Sequence, residues 1–492
     1  MSQNPYANRY PLESPEGFYG RDRLLELLIH RLFRAKPAHS QQVVGLARMG
    51  KTSLLNVIAC LNQPDYYESF AKKFDLEREF LKRVLFVKVN FGGLSKGEPS
   101  LFWNMMYERL IETEAHVPGM GLGSRGLANE HVTFEFFSRK LFSMLQNFMV
   151  IFLFDAFDRV IREGHRDISH NLRFLLEESK GRIVYITATS RTLYEYYRER
   201  ADAQDVAPLF SYFDTEPFYL GSLEASESQG VRDFITDPAA RCGITFTKED
   251  QDFAIYQGGR HPDLTRIVCK RLFENYQYSE GRRGEYKTLY RQLVDECEPL
   301  YQRTRGELSP SQLPVLVRLA DGMRLTEAQQ RIQDTLVKLG MVLEEEGGGY
   351  RVFSPLFEEF LAREKLEASS ELVPAHQIES EDEAVASGLT VWEDQRAVKV
   401  GDKLVVLSPN EWRLFTYLWK HANRVCTRNE LIQALSSEDA DFTAAALDIT
   451  ISRLRQKIEY EPEKPRIIVT VRGRGYRFEG GEVMIISGEE HH

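Results

Sequence analysis

Apolar positions recur with two different spacings along the chain, and the alternation between these spacings outlines the first folded region. From residue 18 to about residue 290, short β-branched and aromatic runs alternate with amphipathic helical stretches. Four of the runs are predicted strands, at residues 42–45, 84–90, 149–155 and 182–189. Short apolar runs separated by helices are typical of a parallel sheet covered on both faces. Residues 18–293 are therefore predicted to form an α/β domain.

The remaining sequence predicts two smaller α+β domains. Residues 294–365 carry short helices followed by two strand-like runs around a Gly-rich turn, which predicts a winged helix. Residues 389–480 show three strands, three helices and a closing hairpin, which predicts a second winged helix. Residues 366–388 are acidic, Ser-rich and poor in aromatics, as in flexible linkers. Residues 1–17 are a predicted polar arm and residues 481–492 a C-terminal tail.

The last predicted domain has a clear division between core and surface. Its helices share an apolar face made by Trp412, Leu414, Phe415, Leu418, Leu431, Leu435, Leu447, Ile451, Leu454 and Ile458. The third helix also carries a second face, which could enter a DNA major groove. This face is formed by Ala446, Ile449, Thr450, Arg453 and Lys457. Arg472 and Arg474 lie at the tip of the following hairpin, where they would meet the DNA backbone or minor groove.

Length and composition limit the number of domains, the kind of partner and the cellular compartment. A chain of 492 residues predicts roughly three domains, at about 100–200 residues each. The formal net charge is −10, so the average composition does not indicate nucleic-acid binding, although it can hide a local basic face. Five scattered cysteines favour a reducing cytoplasm over a disulfide framework. We expect a cytoplasmic protein without a signal peptide or membrane span.

The most specific motif spans residues 45–52, GLARMGKT, which matches G-x-x-x-x-G-K-[ST]. Gly45 and Gly50 allow the backbone N–H groups to surround phosphate oxygens, and the next helix points its positive end at them. Lys51 would bind the β- and γ-phosphates, Thr52 would bind Mg²⁺, and Ser53 follows in the first helical turn. A simple Gly-rich turn is the alternative. The motif predicts an ATP/ADP site with Mg²⁺.

Two carboxylates and an arginine complete the predicted catalytic set. Asp155 ends an apolar strand and would bind Mg²⁺, and Asp158 would polarise the attacking water. Arg191 follows the next predicted strand and would respond to the nucleotide state. In the alternative interpretations, Asp155 is only a helix cap and Arg191 only a surface residue.

The first region resembles the STAND branch of P-loop ATPases, which are relatives of AAA+ and origin-recognition ATPases. The resemblance covers roughly residues 18–365 and is carried by FYGR at 18–21, the loop at 45–52, Asp155 and Asp158, TSR at 189–191 and GGRHP at 258–262. It implies that the domain ends in a helical lid, that Tyr19, Gly20 and Arg21 flank adenine, and that His261 and Pro262 of the lid approach the phosphates. Such proteins often use ADP to hold a closed monomer and ATP to permit oligomerisation.

One departure from this family concerns hydrolysis. Asp155 is followed by Ala156, where AAA+ enzymes commonly have Glu. The difference predicts slow ATP turnover, as in a switch rather than a motor.

The C-terminal region resembles the DNA-binding domain of OmpR/PhoB-type response regulators. LDITISRLRQKI matches the recognition helix and TVRGRGYRF the wing. The resemblance implies that Ala446, Ile449 and Arg453 meet bases, that Arg472 reaches the minor groove, and that phosphates are met by Thr450, Ser452 and Arg455. Few of these positions are cationic, so one copy should bind weakly and several copies should compensate. Use of this domain for protein contact or autoinhibition is the alternative.

Together these features predict an ATP-switched transcriptional regulator that self-associates in the ATP state and binds double-stranded DNA. A second hypothesis is an ATP-dependent sensor of a prokaryotic defence system or mobile element, acting through a separate protein effector. A third is an origin-type or transposon-targeting ATPase that encircles DNA.

Overall fold

The computed structural model describes most of the chain. The described residues are 3–34, 39–61, 63–94, 99–116, 132–163, 166–198, 208–223, 228–278, 286–321, 323–344, 349–370, 389–392, 396–400, 403–422, 424–436, 444–459, 461–462, 464–471, 474–479 and 483–486. They form two units, which are described separately: one spans Asn8–Phe234, and the other comprises Met1–Ala7 together with Ile235–His492.

The unit Asn8–Phe234 is built on a parallel sheet. Its described strands are ordered β2-β3-β4-β1-β5, where β1 is Gln41–Val44, β2 Val84–Asn90, β3 Met149–Asp155, β4 Ile183–Thr189 and β5 Phe218–Tyr219. The four predicted strands are confirmed, and β5 is an addition. The helices are Asp22–Arg34, Lys51–Ala59, Tyr67–Phe74, Arg78–Leu81, Pro99–His116, Phe134–Met144, Phe157–Glu163, Arg166–Glu178 and Leu193–Arg198.

Burial explains why these strands read as continuous apolar runs. All seven residues of β4 are buried, as are six of the seven in β3. Helices cover both faces of a parallel sheet, so side chains on either face of its central strands lie in the core. The predicted α/β class is confirmed.

Helices dominate the first part of the second unit. The described ones are Lys248–Gly258, Pro262–Tyr278, Tyr286–Glu307, Gln312–Ala320, Glu327–Lys338 and Pro355–Ser370, preceded by Ser228–Arg241, within which the division between the units falls. An antiparallel hairpin joins β6 (Val342–Glu344) to β7 (Tyr350–Val352). The predicted hairpin is thus present, whereas the winged-helix assignment of residues 294–365 stays a prediction.

Two domain boundaries differ from the sequence prediction. Residues 235–293 group with the C-terminal unit, because helices of that stretch pack against Pro355–Ser370 and the Ser354 hydroxyl donates to the Gln257 carbonyl at 2.7 Å. Helix Pro355–Ser370 also continues five residues into the predicted linker. The rest of that linker, 371–388, lies outside the described residues.

The C-terminal domain has the predicted order of elements. Strands β8 (Leu389–Trp392), β9 (Ala397–Val400) and β10 (Lys403–Val406) precede helices Pro409–Lys420, Arg428–Leu435 and Ala444–Ile458. Short strand β11 (Cys426–Thr427) pairs with β13 (Gly475–Phe478), which also pairs with β12 (Ile468–Val471). Strand β14 (Val483–Ile486) pairs with β8, so part of the predicted tail belongs to a sheet.

The predicted apolar face is the core of this domain. Nine of its ten residues are buried in one cluster, and Trp412 packs against that cluster half-buried. Capping boxes at Ser408 with Glu411 and at Thr427 with Glu430 begin the first two helices. The winged-helix prediction for this domain is confirmed.

Two further predictions concern the whole chain. All five cysteines are free thiols, and four of them are buried. Within the described residues, no helix has the length and apolar character needed to cross a membrane.

Candidate nucleotide site and nucleic-acid interface

The phosphate-binding loop, residues 45–52, links β1 to helix Lys51–Ala59 and requires glycine at both ends. A Cβ atom on Gly45 would lie 2.7 Å from the Leu220 carbonyl oxygen, so a larger residue would displace that strand connection. Gly50 has a φ of 93° and forms the helix N-cap. A left-handed conformation costs glycine little and other residues more. The two glycines of the motif are therefore set by backbone geometry.

The start of helix Lys51–Ala59 suits an anion. The N-cap Gly50 has no side chain with which to cap the first turn of this helix. The Lys51 ammonium folds back on the loop, where it donates to the Leu46 carbonyl at 2.9 Å and to the Gly45 carbonyl. The positive end of a helix with a lysine beside it fits a nucleotide phosphate.

Sheet register brings Asp155 to the same edge as this loop. The Gly45 N–H donates to the Thr189 carbonyl at 3.0 Å, so the loop leaves β1 beside the end of β4. On the other side of β4, Phe154 pairs with Thr187. Asp155 and the loop are thus two strand spacings apart, or about 10 Å. An Mg²⁺-bound phosphate would fit between a hydroxyl at Thr52 and a carboxylate at Asp155.

The backbone after Asp155 is unusual. Ala156 has a φ of 53°, in the left-handed region that disfavours non-glycine residues. Its N–H donates to Asp155 Oδ1 at 3.1 Å, which fixes the carboxylate at the strand end. Strain of this kind persists where the surrounding structure holds it, often at functional sites.

Lys88 is a member of the site that sequence reasoning missed. It lies on β2, with its ammonium 3.9 Å from Asp155 Oδ2 and donating to Asn56 Oδ1 at 2.5 Å. Burial lowers the pKa of Lys88, against the opposing effect of the Asp155 carboxylate. The available signal was a lone cation inside the apolar strand VLFVKVN.

Asp158 and Arg191 both lie near Tyr196, another residue not predicted. The Tyr196 hydroxyl is 2.8 Å from Ser190 Oγ and accepts from Arg162 at 3.3 Å, and the Arg191 guanidinium is 6.0 Å from its ring centre. Burial raises the pKa of Tyr196, and the Asp158 charge adds to this effect. The structure brings these groups together beyond β4, and the catalytic roles of Asp158 and Arg191 stay predictions.

The predicted adenine-flanking turn has a structural role. Arg21 is 5% exposed, and it donates to the Ser222 carbonyl at 3.2 Å and to the Gly221 carbonyl. Gly20 has a φ of 67°, and the Tyr19 ring packs edge-on against Phe234. Adenine contact by these residues stays a prediction.

The arm of this unit packs along the phosphate-binding helix. The Leu12 N–H donates to Ser53 Oγ at 3.1 Å, and the Leu12 carbonyl accepts from Asn56 at 2.6 Å. Arg48 of the loop donates to the Arg9 carbonyl at 3.0 Å. Residues 8–17 are therefore held in place, and the Ser53 hydroxyl is used by the arm.

His261 and Pro262 lie in the second unit, at the start of helix Pro262–Tyr278. His261 is 1% exposed, its Nδ1 accepts from the Leu264 N–H at 3.3 Å, and its ring centre is 5.9 Å from that of Phe353. These contacts describe a histidine inside its own unit. The predicted approach of His261 and Pro262 to phosphates stays a prediction.

The recognition helix, Ala444–Ile458, differs most from its expected environment. Four of its predicted DNA-contacting residues are buried: Ala446, Ile449, Thr450 and Arg453. The Thr450 hydroxyl donates to the Ala446 carbonyl at 2.8 Å instead of facing outward. Ser452 is half-buried. The surface predicted to face DNA is therefore covered in this structure.

Two cations predicted to meet DNA make contacts within the domain. The Lys457 ammonium lies 2.6 Å from Glu411 Oε2, and the Glu411 side chain is 3% exposed. Arg455 donates to the Ile468 carbonyl at 2.9 Å and to Thr470 Oγ at 2.8 Å, which fastens the recognition helix to the wing. Their DNA-binding roles stay predictions beside these structural ones.

The wing exposes an arginine beside a polar cleft. Arg474 is exposed, whereas Arg472 lies outside the described residues. A cleft of about 320 Å³ is lined by Thr427, Arg428, Asn429, Thr470, Val471, Arg474, Gly475 and Tyr476. Hydroxyl, amide and guanidinium groups of this kind are the usual partners of a phosphate backbone.

Comparison with known proteins separates the two parts of the chain. Residues 401–478 match the family model described as "Transcriptional regulatory protein, C terminal". The RstA DNA-binding domain of Klebsiella pneumoniae, solved with its RstA box, is 32% identical and covers 19% of this chain and 93% of its own, with a TM-score of 0.18.

The longer matches include a Walker-type ATPase of Pyrococcus abyssi and the ORC2 protein of Aeropyrum pernix. The first is 12% identical and covers 73% of this chain and 99% of its own, with a TM-score of 0.48. The second is 14% identical and covers 75% and 99%, with a TM-score of 0.42. Strand order and the loop at residues 45–52 establish the P-loop ATPase fold independently of these overall scores.

Proposed function

Because the C-terminal domain belongs to the transcriptional regulatory C-terminal family of OmpR/PhoB type, we propose that this protein is a nucleotide-controlled DNA-binding regulator of transcription. The observation that carries the proposal is the presence in one chain of this domain and of a P-loop with a strand-end carboxylate at the same sheet edge. The P-loop fold occupies the part of the chain that precedes the DNA-binding domain.

The nucleotide half of the proposal rests on the residues around the loop. Gly45 and Gly50 shape it, Lys51 supplies a positive charge, and the following helix points its positive end at the loop. Thr52 and Asp155 would hold Mg²⁺, and the γ-phosphate of bound ATP would carry the charge that the ADP state lacks. Ala156 in place of a catalytic glutamate supports slow hydrolysis, so the chain would act as a switch more than as an enzyme.

The DNA half rests on the family and on the wing. The related Klebsiella domain is a DNA-binding domain solved with its box, and by similarity we expect double-stranded DNA to be the partner here. Few cations lie in the region of expected contact, and each neutralised phosphate changes the salt slope by only about one unit. One copy should therefore bind weakly, and self-association in the ATP state would give the avidity that a regulator needs.

The test compares DNA affinity and size in two nucleotide states. A labelled duplex, enriched from a random-sequence pool by the full-length protein, would be titrated with protein in ADP or in a non-hydrolysable ATP analogue. We expect the analogue to tighten binding by about 5- to 150-fold, the usual range of allosteric coupling. Lys51→Ala should abolish this difference, and light scattering should detect larger assemblies only with the analogue.

The matched control is Lys82→Ala, which removes an exposed lysine paired with Glu79 at 2.7 Å in the same unit. It should leave both nucleotide responses intact. Equal DNA affinity in ADP and analogue, unchanged by Lys51→Ala, would refute nucleotide control. A single particle size in every condition would refute assembly.

A further inference from the structure

The groove-facing side of the recognition helix is covered by helices of its own unit. Helix Ala444–Ile458 contacts helices Tyr286–Glu307 and Lys248–Gly258. Ala446 and Ile449 are buried, yet both lie outside the apolar cluster that forms the core of the C-terminal domain. The apolar core of that domain therefore does not account for their burial. A DNA-contacting face would be exposed if the domain stood alone.

Arg453 enters a pocket formed by Tyr290 and Glu359, called here the Arg453 pocket. Its guanidinium carbon lies 4.5 Å from the Tyr290 ring centre, in the range of a cation–π contact. Its Nε lies 3.6 Å from Glu359 Oε2, and the Tyr290 hydroxyl donates to the same carboxylate. Only 10% of the Arg453 side chain is exposed. The residue expected to meet bases is thus held by an aromatic ring and an acid.

The pocket keeps this side chain charged. Burial opposes the charge of Arg453, but Tyr290, Glu359 and Glu411 together raise its pKa above the ordinary value. Burial also raises the pKa of Tyr290, so its hydroxyl stays a neutral donor to Glu359. Arg453 is therefore a cation in an electronegative pocket, and a nucleic acid would offer the same cation an electronegative surface.

The pocket does not satisfy the guanidinium fully. No described group hydrogen-bonds to Arg453 Nε or Nη2, although both atoms are buried. A guanine edge or a phosphate would offer two parallel hydrogen bonds to the same fork. Burying charged donors without hydrogen bonds carries a free-energy cost, which favours exchange of this partner for a better one. The covered arrangement is thus suited to reversible opening.

Arg453 cannot lie in this pocket while the recognition helix lies in a DNA major groove. A major groove is about 12 Å wide and a helix with its side chains is about 10–12 Å across, which leaves no room for covering helices. We infer that the helical region around Tyr290 and Glu359 masks the recognition helix, and that DNA binding requires Arg453 to leave this pocket. This autoinhibitory contact deepens, and rests on, the proposed DNA-binding function.

The test removes the acid of the pocket and leaves the DNA-facing residues intact. In Glu359→Gln the charge opposite Arg453 is lost at nearly constant volume, and in Tyr290→Phe the hydroxyl that orients Glu359 is lost while the ring remains. Hydrogen exchange of the full-length protein without DNA would be followed at the amides of Ala444–Ile458. We expect exchange to be faster by about tenfold, and affinity for the enriched duplex to rise by a similar factor, since apparent affinity scales with the open fraction.

Glu298→Gln is the matched control. Glu298 pairs with Arg363 at 3.0 Å and so joins the same two helices that Tyr290 and Glu359 join, but neither partner is an observed contact of Arg453. Unchanged exchange in Glu359→Gln and Tyr290→Phe would overturn masking whether or not the protein binds DNA. Faster exchange without DNA binding in any state would uphold masking and refute the proposed function instead. DNA binding with equal affinity and exchange in all variants would refute masking alone.

Discussion

Replacing Lys457 with methionine separates a structural role of this lysine from DNA contact. In the structure its ammonium is 2.6 Å from Glu411, whose side chain is 3% exposed and whose Oε2 also accepts the Ser408 N–H at 2.8 Å. Burial alone would raise the Glu411 pKa, but the Lys457 charge and hydrogen bond outweigh it, and the pKa lies below its ordinary value. Methionine preserves most of the volume and removes the partner of a buried carboxylate.

The expected loss follows from that geometry. Removing one partner of a buried ion pair typically costs about 3–5 kcal/mol. Lys457 is 24% exposed, so water screens part of the interaction, and we expect about 3 kcal/mol, the lower end of that range. Hydrogen exchange at the amides of helix Pro409–Lys420 in the full-length protein measures this free energy of opening. Glu411→Gln in the Lys457→Met background should recover part of it, because the unpaired charge is gone.

The pH dependence gives a second check, with a definite sign. The folded-state pKa of Glu411 is depressed, so the unfolded domain binds more protons as the pH falls below about 4.5, the ordinary value. The stabilisation is therefore present above that pH and is lost as the pH falls through the folded pKa. Lys457→Met should show a weaker loss over the same interval.

A different outcome would contradict this account. If Lys457 acts mainly on a phosphate, its replacement should leave the opening free energy unchanged and reduce the salt slope of DNA binding by about one. Lys464→Met is the control, since Lys464 is 81% exposed and pairs at the surface with Glu461. Its removal should change the opening free energy by less than about 0.5 kcal/mol.

Two further predictions concern stability. Asp250, 2% exposed, accepts hydrogen bonds from two tyrosine hydroxyls at 2.6 and 2.7 Å, and these with the Thr247 bonds outweigh burial and lower its pKa. Asp250→Asn should cost about 2–4 kcal/mol at neutral pH by chemical denaturation. Its deficit relative to wild type should shrink below about pH 3.8, and a constant deficit there would contradict the ionic explanation. Gly475→Ala would place a Cβ 2.0 Å from the Cys426 carbonyl at a φ of 149°. It should cost about 3 kcal/mol or more and accelerate exchange in the wing, and wild-type exchange there would refute the steric argument.

Much of the fold could be predicted because its signals are local. The boundaries of β2 and β3 match their predicted runs, since each apolar run ends at a polar residue, Asn90 or Asp155. The phosphate-binding loop is contiguous, and its glycine requirements follow from a few dihedral angles. Capping boxes join residues three positions apart, so Ser408 and Glu411 could be recognised as a helix start.

Contacts between distant parts of the chain could not be predicted in the same way. Lys88 reaches Asp155 only because β2 and β3 pair in a particular register. Lys457 and Glu411 meet because two helices cross, although 46 residues separate them. The pairing of β14 with β8 likewise depends on where the end of the domain returns. No periodicity in the sequence encodes such distances.

The sequence by itself determined the α/β class of the first region, the phosphate-binding loop, the strand-end aspartate and the C-terminal winged helix. These follow from side-chain periodicity and from residues adjacent in the chain. Only the tertiary structure decided whether the recognition face is exposed. The sequence of an amphipathic helix shows which residues share a face. It does not show whether the second face meets solvent, DNA or other helices. Here helices Tyr286–Glu307 and Lys248–Gly258 cover it, and the Tyr290 ring and the Glu359 carboxylate meet Arg453 across more than 90 residues of sequence.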